Sequence, residues 1–299
     1  MTKVTVAIPT IGRETLRKTL ASLEEQIHSA DLDVEILVID DTPDLSVARS
    51  MADLHMGNVR YLASGRQNIA HARNVCLDHA TGDFILFIDD DETAPSDWIS
   101  AMVAQIEGTD ADCLFAPVKP VYRKDAPDWL MRLEPLFPSE LKTAMKQSRV
   151  VGRTGNSIVR KSFIDRNGLR FDPHFRAAGE DLHFYHLCLR AGARALAVNA
   201  PELEECVCVR YHRLGPVLSK LYRRGQAYAD VRCRLSQQTG RELLTMSGAA
   251  FMKLAATVIA FPFALLFGRQ AWMRLAFRVA MEAGKMRGLG AYTLRSNSS

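Results

Sequence analysis

DFILFIDDDETAPSDW, residues 83–98, poses the question that decides the fold. Phe84 to Ile88 is an unbroken apolar run with the length and the β-branched or aromatic content of a strand buried on both faces, the kind found in a parallel sheet covered by helices. It ends on four consecutive acids, Asp89, Asp90, Asp91 and Glu92. Carboxylates this close repel one another, so a metal ion, arginines or water must offset them.

Working outward, Val4 to Ile8 reads as a first buried strand, stopped at Pro9-Thr10, and Arg13 to His28 carries Leu16, Leu20, Leu23 and Ile27 at helical spacing. Val34 to Ile39 is a second buried strand, closed by Asp40-Asp41. A helix at Leu45 to Met56, a strand at Val59 to Leu62 and a helix at Asn68 to Ala80 lead back to the strand Phe84 to Ile88. This alternation predicts an α/β fold: a mainly parallel, Rossmann-like sheet with helices on both faces. Ligands bind such sheets beyond the carboxyl ends of the strands. Asp40-Asp41 and Asp89 to Asp91 both fall at such ends, so two acidic clusters are expected to line one crevice.

The pattern loosens from Pro117 to Arg153, where Pro117, Pro120, Pro127, Pro135 and Pro138 interrupt a segment carrying Trp129, Leu130 and Phe137. Order resumes at Gly155 to Val159 and at a helix opening on Gly179-Glu180-Asp181 and running to Arg190. Cys206 to Tyr211 is expected to be a last strand before a basic helix, Val217 to Leu235. This divides the chain into a catalytic domain over 1–235, with halves 1–116 and 117–235, and a C-terminal helical segment over 236–299.

At 47% hydrophobic and 24% charged, the 299 residues belong to the folded globular class rather than the disordered one. The net charge of +4 hides an asymmetry: residues 200–299 hold 15 Lys/Arg against 6 Asp/Glu, which leaves residues 1–199 net acidic. Nucleic-acid binding fits an acidic sheet half poorly. The six cysteines have no CxxC spacing and lie mostly in apolar runs, pointing to a reducing compartment rather than a disulfide framework or zinc site. The start, MTKVTVAIPT, runs straight into a strand and lacks a secretory signal pattern, so a cytoplasmic location is expected.

From about Met246 the character changes. Leu254 to Gly268 is almost wholly apolar, interrupted only by Thr257 and Pro262, and is shorter than the roughly 20 residues that span a bilayer. Arg274, Arg278 and Lys285 then share a helical face against Trp272, Ala276, Val279 and Ala283. An interfacial or re-entrant membrane anchor with its basic face on anionic headgroups is expected. A helical hairpin packed on the catalytic domain or on another subunit is the alternative.

A D-x-D at a strand end turns two carboxylates, here Asp89 and Asp91, to one side. Hard oxygen ligands of this kind suit Mg²⁺ or Mn²⁺ bound together with substrate phosphates; a solvated acidic turn is the other reading. Arg73 and Asn74 approach the same crevice from upstream, and Glu180 and Asp181 bring two more carboxylates to a helix N-terminus, where the dipole is expected to lower a pKa.

The pieces VTVAIPTIGR, VIDDTPDLS, NIAHARNVCLDHATGDFILFIDDDE, TGNSIVRKSF and GEDLHFYHLCLRAGA, in that order over residues 3–235, resemble the family 2 glycosyltransferases of GT-A fold, and within them the bacterial exopolysaccharide enzymes of the succinoglycan glucosyltransferase kind. The resemblance implies that Asp40 or Asp41 accepts a hydrogen bond from the uracil ring of a UDP-sugar and that Arg73 lies against the same nucleotide. It implies that Asp89 and Asp91 form the metal-binding pair, with Asp89 nearer the ribose or the metal shell, and that Asp181 is the general base beside Glu180. Thr154-Gly155-Asn156 would lie on the floor of the donor-sugar site. His212 would be a further metal ligand or, alternatively, a surface histidine between Arg210 and Arg213. Arg223, Arg224 and Gln226 would reach the diphosphate or form a solvated basic face, and Trp98 and Trp129 would stack on sugars or join the core.

The Q-x-x-R-W motif of processive members is absent, which points to addition of one sugar per encounter. The implied function is an inverting, metal-dependent transfer from a UDP-sugar to a saccharide acceptor, lipid-linked, at the cytoplasmic face of the inner membrane, in exopolysaccharide or other surface-glycan synthesis; a homo-oligomer is compatible with it. Two competitors remain. A sugar nucleotidyltransferase would carry a glycine-rich, lysine-bearing phosphate loop near the first strand, where Thr10-Ile11-Gly12-Arg13 stands instead. A non-catalytic assembly subunit binding nucleotide sugar or lipid would not need the intact set Asp89, Asp91 and Asp181.

Overall fold

The computed structural model describes residues 1–28, 31–51, 57–136, 152–199, 201–236 and 241–296. Phe137, Pro138 and the end of the expected helix at Met56 lie outside them. The chain divides into two compact units, Met1–Val121 with Ser139–Cys206, and Tyr122–Pro138 with Val207–Ser299. The expected break after residue 235 therefore falls inside the second unit.

The first unit opens with β1 (Thr2–Thr10), α1 (Leu16–Glu24), β2 (Leu32–Asp40), α2 (Val47–Ser50), β3 (Val59–Ala63), α3 (Ile69–His79) and β4 (Phe84–Phe87). β1 pairs in parallel with β2 (Thr10 beside Asp40) and with β4 (Ala7 beside Phe87), and β2 pairs in parallel with β3. The short strand β5 (Glu92–Thr93), α4 (Trp98–Glu107), β6 (Cys113–Phe115) and β7 (Val118–Val121) follow.

The apolar runs are continuous because both faces of the sheet are covered. On one face Val4, Val6, Val34, Ile36, Val38 and Leu86 pack with Leu16, Leu20 and Leu23 of α1 and with Trp98, Met102 and Ile106 of α4. Ala7, Leu37, Ile39, Ile85 and Phe87 point the other way, onto Ala72 and Cys76 of α3 and onto Phe171, Phe184 and Tyr185. Each fully buried large apolar side chain contributes about 1.5–3 kcal/mol, so the sheet is rigid where the acidic turns leave it.

The second unit carries α5 (Asp128–Leu133). In the first unit, β8 (Ser157–Arg160) is the exception within the mainly parallel sheet. It lies antiparallel between β4 and β6, with Ser157 beside Phe87. An antiparallel strand begins where its parallel neighbour ends, and so β8 delivers residues 154–156 to the acidic end of β4. After α6 (Lys161–Arg166) and α7 (Glu180–Arg190), β9 (Ala195–Ala197) completes the sheet order β3-β2-β1-β4-β8-β6-β9. β10 (Leu203–Cys206) joins β5 and β7 in a small second sheet. The strand expected at Cys206 to Tyr211 is thus displaced: it lies at Leu203–Cys206, and Val209–His212 is a 3-10 turn. The helix expected from Leu45 is short, since Leu45 itself has φ 52° and the α-helix is confined to Val47–Ser50.

The second unit is helical: α5, α8 (Leu214–Leu235), α9 (Arg241–Ala264) and α10 (Arg269–Ser296). Its core joins Leu130, Leu136, Val207, Tyr211, Val217 and Leu221 to Phe277 and Met281. α8 and α10 approach so closely that their glycines touch backbone. A Cβ at Gly284 would stand 2.0 Å from the Tyr222 carbonyl oxygen, and one at Gly225 would stand 2.2 Å from that of Met281. Gly284 and Gly288 form the small-xxx-small spacing that permits such contact. Gly284→Val is expected to destabilise the protein by about 2 kcal/mol or more through overpacking, measured as a drop in thermal midpoint by circular dichroism. Gly290→Ala on the same helix, where an added Cβ meets nothing within 4 Å, does not lower the midpoint and is expected to raise it slightly, since helix propensity favours alanine by up to about 1 kcal/mol.

Candidate active site

The turn after β4 is the centre of the site, and it sorts its acids by direction. The Asp90 side chain is 3% exposed, accepting from Thr10 Oγ1 at 2.6 Å and pairing with Arg13, whereas those of Asp89 and Asp91 are 33% and 24% exposed. The middle acid is turned into the fold and its neighbours face the crevice. Glu92, fully buried, clamps the turn: its Oε2 accepts from the Asp89 amide at 2.9 Å and its Oε1 from Arg153 at 3.1 Å.

Three arginines offset the acids. Arg13 pairs with Asp90 and reaches Asp91 at 3.1 Å; Arg73 pairs with Glu180 and reaches Asp89 at 3.3 Å; Arg153 reaches Glu92 at 3.1 Å and Glu205 at 3.4 Å. Seven carboxylates, counting Asp181, thus face three guanidiniums. Burial pushes the Asp91 carboxyl up to about 7 against the opposing pull of Arg13, and pushes Glu180 up to about 7 against that of Arg73. Asp181 also moves up, because burial outweighs Arg73 and the Leu182 amide that its Oδ1 accepts at 2.7 Å. The expectation that the helix dipole lowers its pKa is overturned: desolvation wins. A raised carboxyl is the stronger base once ionised.

Other expected positions are corrected or sharpened. Both Asp40 oxygens are spent on the following loop, Oδ1 on the Thr42 amide (2.9 Å) and hydroxyl (2.5 Å), Oδ2 on the Val47 amide (2.8 Å). Asp41 binds Ser64 Oγ at 2.8 Å and the Arg66 amide at 3.2 Å through Oδ1 alone. Of the two, Asp41 has the freer carboxylate. Arg73 is buried beneath Glu180 and Asp89 and directs its guanidinium to those two carboxylates. Asn156 is wholly buried in a left-handed conformation (φ 55°); it accepts from Trp98 Nε1 at 2.8 Å and donates to the carbonyls of Pro117 (2.6 Å) and Pro201 (2.9 Å). Its amide ties the fold together and does not offer itself to a sugar, and Trp98 is core.

His212 lies in the second unit, where its Nε2 is enclosed without a hydrogen bond. Arg224, in the same unit, donates to the Leu136 carbonyl at 3.2 Å. Among the described residues no three His, Cys, Asp or Glu side chains converge as a ligand set. The chain's own offer to a cation is the pair Asp89 and Asp91. Two hard oxygens with the remaining positions left to water and phosphate fit Mg²⁺ or Mn²⁺, which keep several waters when bound. Arg13 and Arg153 are the members that sequence reading missed. The signal was present, since four adjacent acids demand cations, and each arginine adjoins a recognised motif.

Comparison with known proteins identifies the family. Residues 5–168 fit the family model described as Glycosyl transferase family 2. The chain belongs to that family. The succinoglycan biosynthesis protein ExoM of Rhizobium meliloti (strain 1021) is 27% identical over 293 residues, covering 96% of this chain and 92% of the relative. ExoW of the same organism is 28% identical over 221 residues, 67% of each. Two solved structures share the fold. The mannosyltransferase PcManGT from Pyrobaculum calidifontis, in complex with GDP-Man and Mn²⁺, has a TM-score of 0.64 at 19% identity, over 96% of this chain and 86% of that one. S. aureus TarS 1–349, in complex with UDP-GlcNAc, has 0.52 at 16%, over 98% and 92%. The protein is a family 2 glycosyltransferase of GT-A-like fold.

In this glycosyltransferase Asn156→Ala strips partners from Trp98 Nε1 and two carbonyls, a loss of about 3 kcal/mol or more at about 1–3 per orphaned group. The expected result is a lower thermal midpoint with unchanged nucleotide affinity in the protein that remains folded, read by calorimetry at low temperature.

Proposed function

We propose that this glycosyltransferase is an inverting, metal-dependent, non-processive enzyme that passes a sugar from a UDP-sugar to a lipid-linked saccharide at the cytoplasmic face of the inner membrane, in the assembly of a surface polysaccharide. The observation that carries the chemistry is the sorting of acids around one turn: Asp89 and Asp91 face out, Asp90 faces in, and Asp181 stands at the start of α7 within electrostatic reach of Arg73 and Asp89. The first set suits a cation and a diphosphate; the second suits a proton.

Asp41 holds the nucleobase with the oxygen it does not spend on Ser64 and Arg66. Asp89 and Asp91 would hold the divalent ion, which when bound neutralises charge developing on the departing diphosphate. Asp181 takes the proton from the acceptor hydroxyl as that oxygen attacks the anomeric carbon. The new carbon–oxygen bond forms on the face opposite the breaking bond to phosphate, UDP leaves with the electron pair, and the anomeric configuration inverts. Arg73 keeps Glu180 and Asp89 apart while this happens, so that Asp181 is the group left free to accept. Succinoglycan relatives on one side and nucleotide-sugar-bound neighbours on the other support the polysaccharide setting and the donor class.

Turnover is measured as UDP release from a panel of UDP-sugars with a membrane lipid extract as acceptor. One donor is expected to react, chelation to stop the reaction and Mn²⁺ or Mg²⁺ to restore it. Asp181→Asn should lower kcat by about 10²–10⁴-fold while leaving cation-dependent UDP binding intact, whereas Asp91→Asn should lose that binding. Turnover indifferent to chelation, or an Asp181→Asn enzyme as fast as the parent, would remove the proposal.

A further inference from the structure

Within the second unit, α9 and α10 form a hairpin whose turn, Leu265–Phe267, is a short 3-10 segment. Phe251, Met252, Val258, Ile259 and Phe263 of α9 are 55–69% exposed, and Leu266 and Phe267 at the turn are 81% and 79% exposed. At 100° per residue those five α9 side chains fall within one arc, so they make a single apolar face ending in an apolar tip. Exposed apolar residues scattered singly need no explanation, but a contiguous set does.

The charge carried by the hairpin sequence around its turn has one sign. From residue 243 to residue 281 there is no Asp or Glu, while Lys253, Arg269, Arg274 and Arg278 are all present and exposed. Arg274 and Arg278, four apart, share one side of α10. Trp272 and Phe261, both half-buried, meet across the two helices at 5.5 Å near the turn, the kind of aromatic that sits at headgroup depth. At the foot of the tip a cavity of about 350 Å³ is lined by Asp128, Trp129, Arg269, Gln270 and Met273, joining a cation to an aromatic ring. Among the described residues no helix is long and apolar enough to cross a membrane.

We infer that the α9–α10 hairpin is a monotopic anchor that lays its apolar face and tip into one leaflet of an anionic phospholipid membrane, with Arg269, Arg274 and Arg278 among the headgroups. A second copy of the chain would satisfy the apolar face but not the uncompensated cations, and it is charge that selects the lipid surface. The inference deepens the lipid-linked-acceptor part of the proposed function and rests on that reading only for its purpose: a lipid-borne acceptor would then be met in two dimensions.

The test is flotation of the full chain with phosphatidylcholine vesicles, with and without phosphatidylglycerol, alongside size-exclusion chromatography with light scattering. The wild type is expected to float with phosphatidylglycerol vesicles and to be released by salt. Leu266→Asp/Phe267→Asp, and separately Ile259→Asp, should remain unbound with unchanged helix content and unchanged cation-dependent UDP binding. Arg274→Ala and Arg278→Ala should each weaken vesicle binding about fivefold. Failure of the wild type to float, equal binding to both kinds of vesicle, or tip variants that bind as well as the parent would overturn the anchor. So would a wild-type dimer that becomes monomeric in the tip variant without any vesicle binding, which would give the face to a second copy. Loss of UDP binding in every form, with flotation intact, would count against the catalytic reading and not against the anchor.

Discussion

A surplus of carboxylates at the end of one strand is the constraint to which the first unit answers. Asp89 to Glu92 emerge from a core strand, and Asp181 and Glu205 come close enough to raise their neighbours' pKa values. An unpaired buried charge is costly, and removing one partner of a buried pair typically costs about 3–5 kcal/mol. The three arginines are therefore structural requirements before they are anything else. They come from three different places in the chain, the loop after β1, α3 and the residues just ahead of β8, so the site forms only when the sheet has closed.

The sheet's one antiparallel insertion follows from the same need. β8 runs against β4, and its start therefore lies beside the acidic turn. That start carries Arg153, the cation for Glu92 and Glu205, and Gly155, where a Cβ would come within 2.5 Å of Glu92 Oε1. Asn156, in a left-handed conformation that asparagine tolerates better than most residues, then bonds Trp98 and two proline-bearing segments. A parallel strand in the same position would have placed these residues at the opposite edge of the sheet.

Much of this was legible in the sequence, and the parts that were not share a cause. Continuous apolar runs at Val4, Val34 and Phe84 gave the buried strands because both faces are covered, and the helix expected at Asn68 to Ala80 is α3, Ile69–His79, with Asn68 as its N-cap accepting from the His71 amide at 3.2 Å. The direction of β8 was hidden, since a strand as short as Ser157-Ile158-Val159-Arg160 looks the same run either way. Motif position also could not separate residues that touch a ligand from residues that hold those that do. Asp40, Arg73 and Asn156 sit inside recognised motifs, yet each is occupied with the fold: Asp40 closes a loop, Arg73 spaces two carboxylates and Asn156 ties three segments. Side-chain burial decides this, and burial depends on contacts distant in sequence.

The charge asymmetry of the chain acquires a physical sense from the two units taken separately. The first unit gathers its acids around the turn after β4 and is net negative. The same sign would repel it from an anionic surface. The surplus of cations after residue 200 lies largely in the second unit, and from residue 243 to 281 it is free of acids altogether. Segregating the charges into different units, net acidic in the first and net basic in the second, accounts for a +4 total that neither half resembles.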